Sequence, residues 1–574
     1  MLDFANSLTT LLVFGTATAA LLPRLKARLE LSKAKHRSLA GHARMARRIA
    51  AQIPYYEYSD EKFFCADGAP PDIASRRRQA FFDLAAIYRE RFSETAHLTA
   101  AAAVGISDLQ FTSAYRVPFQ FSRMVRSHLK AGAFAASARG VTVTDLDGNQ
   151  MYDLAGSYGV NVFGVDFYKD CMRVAASRAH ALGPLLGLYH PLVADNVTRL
   201  RALSGLDEVS FHMSGTEAVM QAVRLARYHT GRSHLVRFCG AYHGWWGDVQ
   251  PGVGNPVTAR ETYTLKEMDR DTLRVLRTRC DIACVLVNPL QALHPNQSAP
   301  GDSTLVDSGR SAAYDKAAYT AWLHQLRAIC SERGIALIFD EVFMGFRLAP
   351  GGAQEYFGVQ ADLVTYGKTL GGGLPVGVVC GRRDLMQRFR PDRPADISFA
   401  RGTFNAHPYV MAAMNEFLQR LDTPALRERY RDLDATWTRR ARGLNQRLEA
   451  AGLSPRVAHM TSVWTVTYTH PSRYNWMFQY YLRAEGLLLS WVGSGRLIFG
   501  LHYTDADFEA VAERFIGAAR KMEAAGWWWT DATRTNRSIR RQILGEMLRV
   551  RLRSLLPGMR HPVHGVDQLA TQQI

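Results

Sequence analysis

The sequence predicts an α/β protein built around a mainly parallel β-sheet, with a smaller α+β part and helical extensions at both ends of the chain. From about residue 176 to residue 420, helical stretches alternate with short runs that are apolar on both faces, such as 283–288 and 335–340. Runs of this kind, separated by helices, are typical of parallel strands covered on both sides. A length of 574 residues exceeds one hydrophobic core, so we expect two or more packed units.

Taken in order, the elements predict a helical N-terminal extension, the start of a small domain, a large domain, the rest of the small domain and a Trp/Arg-rich tail. These regions are 1–110, 111–175, 176–420, 421–526 and 527–574. In the extension, Phe81, Leu84 and Tyr88 form an apolar helical stripe. A β-hairpin is expected to close at Asp147–Gly148, and an amphipathic helix is expected near 505–524.

The composition is that of a globular protein with an excess of basic residues. Hydrophobic residues make up 47% and charged residues 21% of the chain, and 70 Lys+Arg against 52 Asp+Glu give a net charge of +18. The excess lies largely near the two ends, without a DNA- or RNA-reading motif between them, so we do not expect nucleic acid as a partner. The seven scattered cysteines predict free thiols in a reducing cytoplasm, with neither a disulfide scaffold nor a metal site.

Both ends of the chain suggest contact with a membrane. Residues 4–23 carry no charge but contain several polar side chains, so they are marginal as an anchor, for which about 20 apolar residues are needed. Basic residues follow from 24 to 37, and the positive-inside rule would keep the bulk of the chain cytoplasmic, at the inner face of the membrane.

At the other end, the tryptophans 527–529 precede a basic segment with helical periodicity. Its apolar stripe consists of Ile539, Ile543, Met547, Val550 and Leu555. Tryptophans at the headgroup level and a basic amphipathic helix suit an interfacial position. The alternative is a packed terminal helix with a solvated basic face.

Three segments carry the candidate chemistry. Ser214-Gly215-Thr216 begins a helix, where free backbone N–H groups and hydroxyls suit a phosphate; an ordinary N-cap is the alternative. Asp340 ends an apolar strand, an expensive place for a carboxylate unless it meets a cation such as a protonated pyridine. Lys368 follows another strand and precedes three glycines, and partial desolvation would make its amine a nucleophile. Alone, the carboxylate and the lysine could each be a solvated surface group. The order of the three segments along the chain favours a shared functional site instead.

In that order the segments resemble the class III aminotransferases, which are fold-type-I enzymes dependent on pyridoxal 5′-phosphate (PLP). The resemblance is closest to the glutamate-1-semialdehyde 2,1-aminomutase branch and runs from about residue 115 to 520. It implies that Lys368 forms the Schiff base with PLP and moves a proton between the substrate Cα and C4′ of the cofactor. It also implies that Asp340 pairs with the pyridine nitrogen. The other residues implied at the cofactor are Ser214, Gly215, Thr216, Tyr242, His243, Val342 and Thr403.

Among these, the resemblance gives Gly215 and Thr216 to the phosphate, Tyr242 to one face of the ring with His243 beside it, and Val342 to the space beneath the ring. Thr403 is implied to reach the phosphate of a neighbouring subunit, so a homodimer with shared active sites is expected.

The sequence departs from the family pattern at positions that concern the substrate. Asn288-Pro289 stands where relatives have Glu-Pro, and Phe343 stands where a glutamine often bonds the ring hydroxyl. The gating glutamate of the aminomutases falls on Gly495, which weakens an aminomutase reading. The adjacent Arg496 could clamp a carboxylate or could be structural.

The resulting expectation is an aminotransferase that moves an amino group from an amino donor to a carbonyl acceptor. If the ends bind membrane, a lipid-like or long-chain acceptor is expected. The alternative within PLP chemistry is an aminomutase or epimerase, which returns the cofactor to its starting form in each turnover. The alternative from another class is a membrane-associated scaffold without catalysis.

Overall fold

The computed structural model describes residues 22–36, 43–115, 117–130, 132–250, 254, 257, 259–293, 312, 314–490 and 496–554. Residues 4–21 of the expected anchor, Gly495 and Leu555 therefore lie outside the described residues. Within them, no helix combines the length and the apolar character needed to cross a bilayer.

The N-terminal region is helical, as predicted. Residues 22–34 form a helix. The helices that follow are α1 (Ala43–Ala50), α2 (Asp60–Phe64), α3 (Pro71–Arg91), α4 (Ser93–Ala103), α5 (Ser107–Tyr115) and α6 (Ser122–His128). Helix α3 starts at a proline, whose fixed φ and missing N–H suit a first helical position. The predicted stripe of Phe81, Leu84 and Tyr88 is confirmed, because all three side chains are buried.

A four-stranded sheet joins this region to the last third of the chain. Its first strands are β1 (Ser137–Arg139), β2 (Thr142–Thr144) and β3 (Gln150–Asp153). Strands β2 and β3 pair antiparallel, which confirms the predicted hairpin, and Gly148 adopts φ +80° in its turn. The fourth strand comes from far along the chain and pairs parallel with β3.

The large sheet has seven strands in the order β4-β10-β9-β8-β7-β5-β6. They are β4 (Glu208–His212), β5 (His234–Phe238), β6 (Thr262–Leu265), β7 (Ile282–Val287), β8 (Ala336–Asp340), β9 (Leu363–Gly367) and β10 (Gly377–Gly381). All strands run parallel except β10, which is antiparallel to both of its neighbours. Every residue of β7 to β10 is buried, which explains their unbroken apolar runs.

Helices accompany this sheet. They are α7 (Val165–Ala179), α8 (Leu192–Ser204), α9 (Gly215–Thr230), α10 (Arg270–Thr278), α11 (Lys316–Arg333), α12 (Gly352–Phe357), α13 (Arg383–Met386) and α14 (Pro408–Leu421). The parallel strands β4, β8 and β9 end at the same edge of the sheet, where ligands of such folds bind. The predicted segments beginning at Ser214, Asp340 and Lys368 all lie at that edge.

The remaining elements lie in the last third of the chain, where the first two strands form a sheet of their own. The strands are β11 (Phe389–Arg390), β12 (Arg393–Ile397), β13 (Pro455–Met460), β14 (Val463–Tyr468), β15 (Leu487–Leu488) and β16 (Arg496–Ile498). The helices are α15 (Pro424–Glu428), α16 (Leu433–Ala450), α17 (Phe478–Ala484), α18 (Asp505–Ala524) and α19 (Asn536–Ser554). Helix α18 confirms the amphipathic helix, and a capping box between Thr504 and Asp507 starts it.

The expectation that the tryptophan run lies at a membrane interface is wrong for its first two members. Trp527 and Trp528 are buried, and their indole N–H groups donate to Tyr481 Oη and Asn475 Oδ1, both at 2.9 Å. They therefore fasten the end of α18 to the segment around α17. A buried indole needs such a partner, which these neighbours supply.

The predicted apolar stripe of the tail also turns inward. Ile539 is buried, and Ile543, Met547 and Val550 are partly buried. On the same side, Glu546 pairs with the buried Arg473 (Nη1 to Oε1, 3.0 Å) and accepts from Tyr58 Oη at 2.5 Å. This face of α19 is thus used for packing, which was the alternative interpretation of the stripe.

Candidate active site

Lys368 sits at the turn that leaves strand β9. It begins a short 3₁₀ helix, Lys368–Gly371, with a left-handed φ of +47°. A lysine in that region is strained, and such strain persists only where the surrounding structure enforces it. The glycines that follow let a neighbouring segment pack closely against this turn, because a Cβ on Gly372 would lie 2.5 Å from the Ala413 carbonyl oxygen. Burial lowers the pKa of Lys368, which favours the neutral amine.

Asp340 ends strand β8 and is buried together with His243. His243 Nδ1 lies 2.8 Å from Asp340 Oδ2. The other carboxylate oxygen accepts from the backbone N–H of Val342 and from Thr365 Oγ1, both at 3.2 Å. Burial lowers the pKa of His243 and the neighbouring Asp340 opposes that shift. The carboxylate is therefore held in one orientation by three partners. His243 was expected beside Tyr242, and its contact with Asp340 was not predicted.

The Ser214–Thr216 segment begins helix α9. Ser214 Oγ accepts from the Glu217 N–H at 3.3 Å, so Ser214 is an N-cap as well as a candidate phosphate contact. Two glycines let other segments approach closely. A Cβ on Gly215 would lie 2.5 Å from Val342 Cγ1, and a Cβ on Gly244, at φ +88°, would lie 2.5 Å from Thr216 Oγ1. The helix N-terminus is thereby joined to the Asp340 and His243 segments.

Two of the remaining predicted residues, Tyr242 and Thr403, are exposed. Tyr242 has half of its surface exposed, and its carbonyl oxygen accepts from Asn288 Nδ2 at 2.9 Å. Asn288, which departs from the family pattern, therefore positions the Tyr242 backbone. Thr403 is exposed in a turn before α14 and makes no side-chain hydrogen bond among the described residues.

Two further residues lie near Lys368: Phe343 was noted only as a departure from the family pattern at the ring, and Arg347 was not predicted as part of the site. The Phe343 ring has its centroid 5.6 Å from Lys368 Nζ, and a Cβ on Gly159 would lie 2.6 Å from that ring. Arg347 is fully buried, with its guanidinium carbon 5.7 Å from the same ring. Arg347 donates to Ser462 Oγ and to the Phe499 carbonyl, and burial lowers its pKa to about 10.

The only sequence signal for Arg347 was its position in the segment that starts with Asp340. The predicted clamp residue Arg496 is partly buried on β16, opposite Thr465.

These groups match PLP in chemistry. A buried carboxylate can pair with a protonated pyridine, and a desolvated amine can react with an aldehyde. The N-terminus of a helix, beside glycines that have no side chain to block the approach, can bind a phosphate. Such groups at the carboxyl edge of a mainly parallel seven-stranded sheet define a fold-type-I PLP-dependent enzyme.

Comparison with known proteins identifies the family. The family Aminotransferase class-III matches residues 124–518, so the chain belongs to the class III aminotransferases, a family of PLP-dependent enzymes. A glutamate-1-semialdehyde 2,1-aminomutase from Alkaliphilus oremlandii is 36% identical over 299 residues. That match covers 49% of this chain and 64% of the relative, less than two thirds of its length.

Solved structures agree with this assignment. An omega-transaminase from Sphaerobacter thermophilus is 26% identical with a TM-score of 0.57, over 68% of this chain and 91% of its own. A transaminase solved with PLP bound is 25% identical with a TM-score of 0.61, over 76% of this chain and 99% of its own. The family match leaves residues 1–123 and 519–574 outside it.

Proposed function

We propose that this aminotransferase moves an amino group from a small-molecule amino donor to a carbonyl acceptor in two half-reactions. The observation that carries the proposal is the partly buried Lys368 amine, whose pKa burial lowers, at the same sheet edge as the buried Asp340–His243 pair. PLP, when bound, supplies an electron sink that stabilises negative charge on the substrate carbon.

The chain's own residues then have distinct roles. Asp340, oriented by His243 and Thr365, holds a proton at the ring nitrogen, and Lys368 carries a proton to and from the substrate carbon. Ser214, Gly215 and Thr216 bind the phosphate at the start of α9. Tyr242 and Val342 enclose the ring from its two faces. These roles follow the family resemblance and are consistent with the geometry around Gly215 and Gly244.

Two tests address this proposal. Borohydride reduction of the holoenzyme should fix the cofactor on the peptide that contains Lys368. Mixing the holoenzyme with one amino donor and no acceptor should leave the cofactor in its amino form, as seen by its absorbance. A cofactor that returns at once to the aldehyde form would instead support an aminomutase or epimerase, and a folded protein that binds no PLP would support a scaffold without catalysis.

We also propose a homodimer in which Thr403 contacts the phosphate bound by the other subunit. The support is a group of exposed apolar side chains around this loop, which a monomer rarely leaves uncovered. They are Ile397, Phe399 and Phe404. Analytical ultracentrifugation of the wild-type protein and of Phe399→Ser tests the assembly.

The arrangement of the chain follows from the same proposal. We infer that residues 111–175 and 421–526 together form the small domain and that residues 176–420 form the large domain. Residues 1–110 and 527–574 are extensions. We propose further that the protein is cytoplasmic and associates with the inner face of a membrane, where a lipid-like or long-chain carbonyl compound would be available as acceptor. The basic ends of the chain support this association.

A further inference from the structure

The outer face of helix α19 carries a second apolar stripe that the sequence interpretation overlooked. Leu544, Leu548 and Leu552 recur every four residues and are 57%, 55% and 63% exposed. They lie away from the packed face that contains Ile539 and Glu546. Three exposed leucines along one face of a helix are unusual unless something covers them.

Helix α1 adds a similar stripe beside α19. Met45 and Ile49, one turn apart on α1, are exposed, and so is Ile53 just after the helix. The chain after α1 runs along α19, because Gln52 Oε1 accepts from Arg551 Nη2 at 2.9 Å and Tyr56 Oη lies 3.3 Å from Glu546 Oε2. The two stripes therefore belong to adjoining elements of one surface.

The charges of this surface have a single sign. Helix α1 contains arginines and no acidic residue, and α19 contains six arginines. The one carboxylate of α19, Glu546, faces inward, where Arg473 and Tyr58 use its oxygens. The exposed arginines of α19 that flank the leucines are Arg537, Arg540, Arg541, Arg549 and Arg553. Leucines set among arginines match acyl chains beneath anionic headgroups better than they match an apolar protein surface.

We propose that α1 and α19 form a preformed docking face for an anionic phospholipid bilayer. The inference rests on the proposed membrane association and assigns it to these two helices. The leucine stripe enters the headgroup region, the arginines contact lipid phosphates, and the inward face of α19 stays packed on the protein. Docking in this way needs no spanning segment and uses none of the tryptophans at 527–529.

Vesicle sedimentation with the full-length holoenzyme tests the proposal. Wild-type protein should bind vesicles of phosphatidylcholine with phosphatidylserine, and binding should fall with added salt and with removal of phosphatidylserine. The triple variant Leu544→Ser, Leu548→Ser, Leu552→Ser should lose binding by about 10-fold or more. Arg537→Gln with Arg541→Gln and Arg549→Gln should lose a similar amount in low salt and little in high salt.

Matched controls use exposed residues elsewhere. Leu98→Ser with Val104→Ser and Ile106→Ser removes three exposed apolar side chains from α4 and the loop before α5, and should bind vesicles like the wild type. Unchanged aminotransferase activity in every variant separates this inference from the proposed reaction.

Several outcomes would overturn the inference. Equal binding by wild type and the leucine variant would assign contact to another part of the chain, such as residues 4–21, which a deletion would then reveal. A leucine variant that dissociates an oligomer without losing vesicle binding would identify a second copy as the partner of the stripe. Binding of the wild type to neither vesicle would reject membrane association altogether.

Discussion

Two buried side-chain pairs of this protein are assembled in different ways. Asp340 and His243 come from loops and strand ends of one sheet, at the ends of β8 and β5, so the pair exists wherever the sheet forms. Arg473 and Glu546 come from the loop before α17 and from the terminal helix, and their contact depends on α19 docking onto the rest of the protein. The site is thus part of the sheet, whereas the tail is an attachment, and changes in one should leave the other largely intact.

The largest effect is expected at the sheet edge. Lys368→Ala removes the amine proposed to react with the cofactor and to carry the substrate proton, so turnover should fall at least about 1,000-fold. Circular dichroism and the thermal transition should stay close to wild type, because Lys368 makes no structural ion pair among the described residues. Lys368→Arg, which keeps the charge but not the nucleophile, should be equally inactive; activity in either variant would contradict the assignment.

A smaller effect, a loss of PLP affinity, is expected from adding a methyl group where α9 meets the segment after Asp340. Gly215→Ala places a methyl group 2.5 Å from Val342 Cγ1, so one of the two segments must shift. Affinity for PLP, measured by fluorescence titration, should weaken by about 10-fold, a cost of about 1.4 kcal/mol.

Val342→Ala alone loses a contact with the ring, but adding Gly215→Ala to it should weaken PLP affinity little further, because the clash is removed. Gly443→Ala, where a Cβ meets open space within α16, is the matched control and should leave affinity unchanged. A clear further loss of affinity in the double variant would mean that Gly215 matters for another reason.

The tail pair is the next comparison. Glu546→Ala leaves Arg473 buried without its carboxylate, which should cost about 2–3 kcal/mol of stability in the attachment. Urea titration should show earlier release of α19, and limited trypsin digestion should cut its arginines sooner, while the per-molecule activity stays the same. Glu509→Ala breaks an exposed ion pair with Arg447 and should cost less than about 1 kcal/mol. Equal losses of stability in the two variants would show that the Glu546–Arg473 pair contributes no more than an exposed ion pair.

The last prediction concerns the pH dependence of stability. Burial raises the pKa of Glu341, beside the site, from its ordinary 4.5 to about 8. Its contribution to stability is therefore complete below about pH 4.5 and is lost as pH rises through about 8. Glu341→Gln does not titrate, so its melting temperature relative to wild type should increase between pH 5 and pH 8, by about 2–4 °C for each kcal/mol. A difference that is constant with pH would show that Glu341 is already ionised in the fold.

The order of residues along the chain was enough to predict the sheet, the family and the segments at Ser214, Asp340 and Lys368. Parallel strands with short connections place such segments at one edge, so local patterns carry their positions. The pairing of His243 with Asp340 was not predicted, because it joins loops that are 97 residues apart. The nearness of Phe343 and Arg347 to Lys368 likewise depends on how the segment after β8 folds back.

The tail shows what sequence periodicity leaves open. Helix α19 has apolar residues on two faces, and a helical repeat does not say which face a neighbour will cover. The position of Arg473, Tyr58 and the α3–α17 segments decided that Ile539 and Glu546 turn inward and that Leu544, Leu548 and Leu552 remain outside. The burial of Trp527 and Trp528 was decided in the same way, since hydrogen-bond partners such as Tyr481 and Asn475 become neighbours only through tertiary packing.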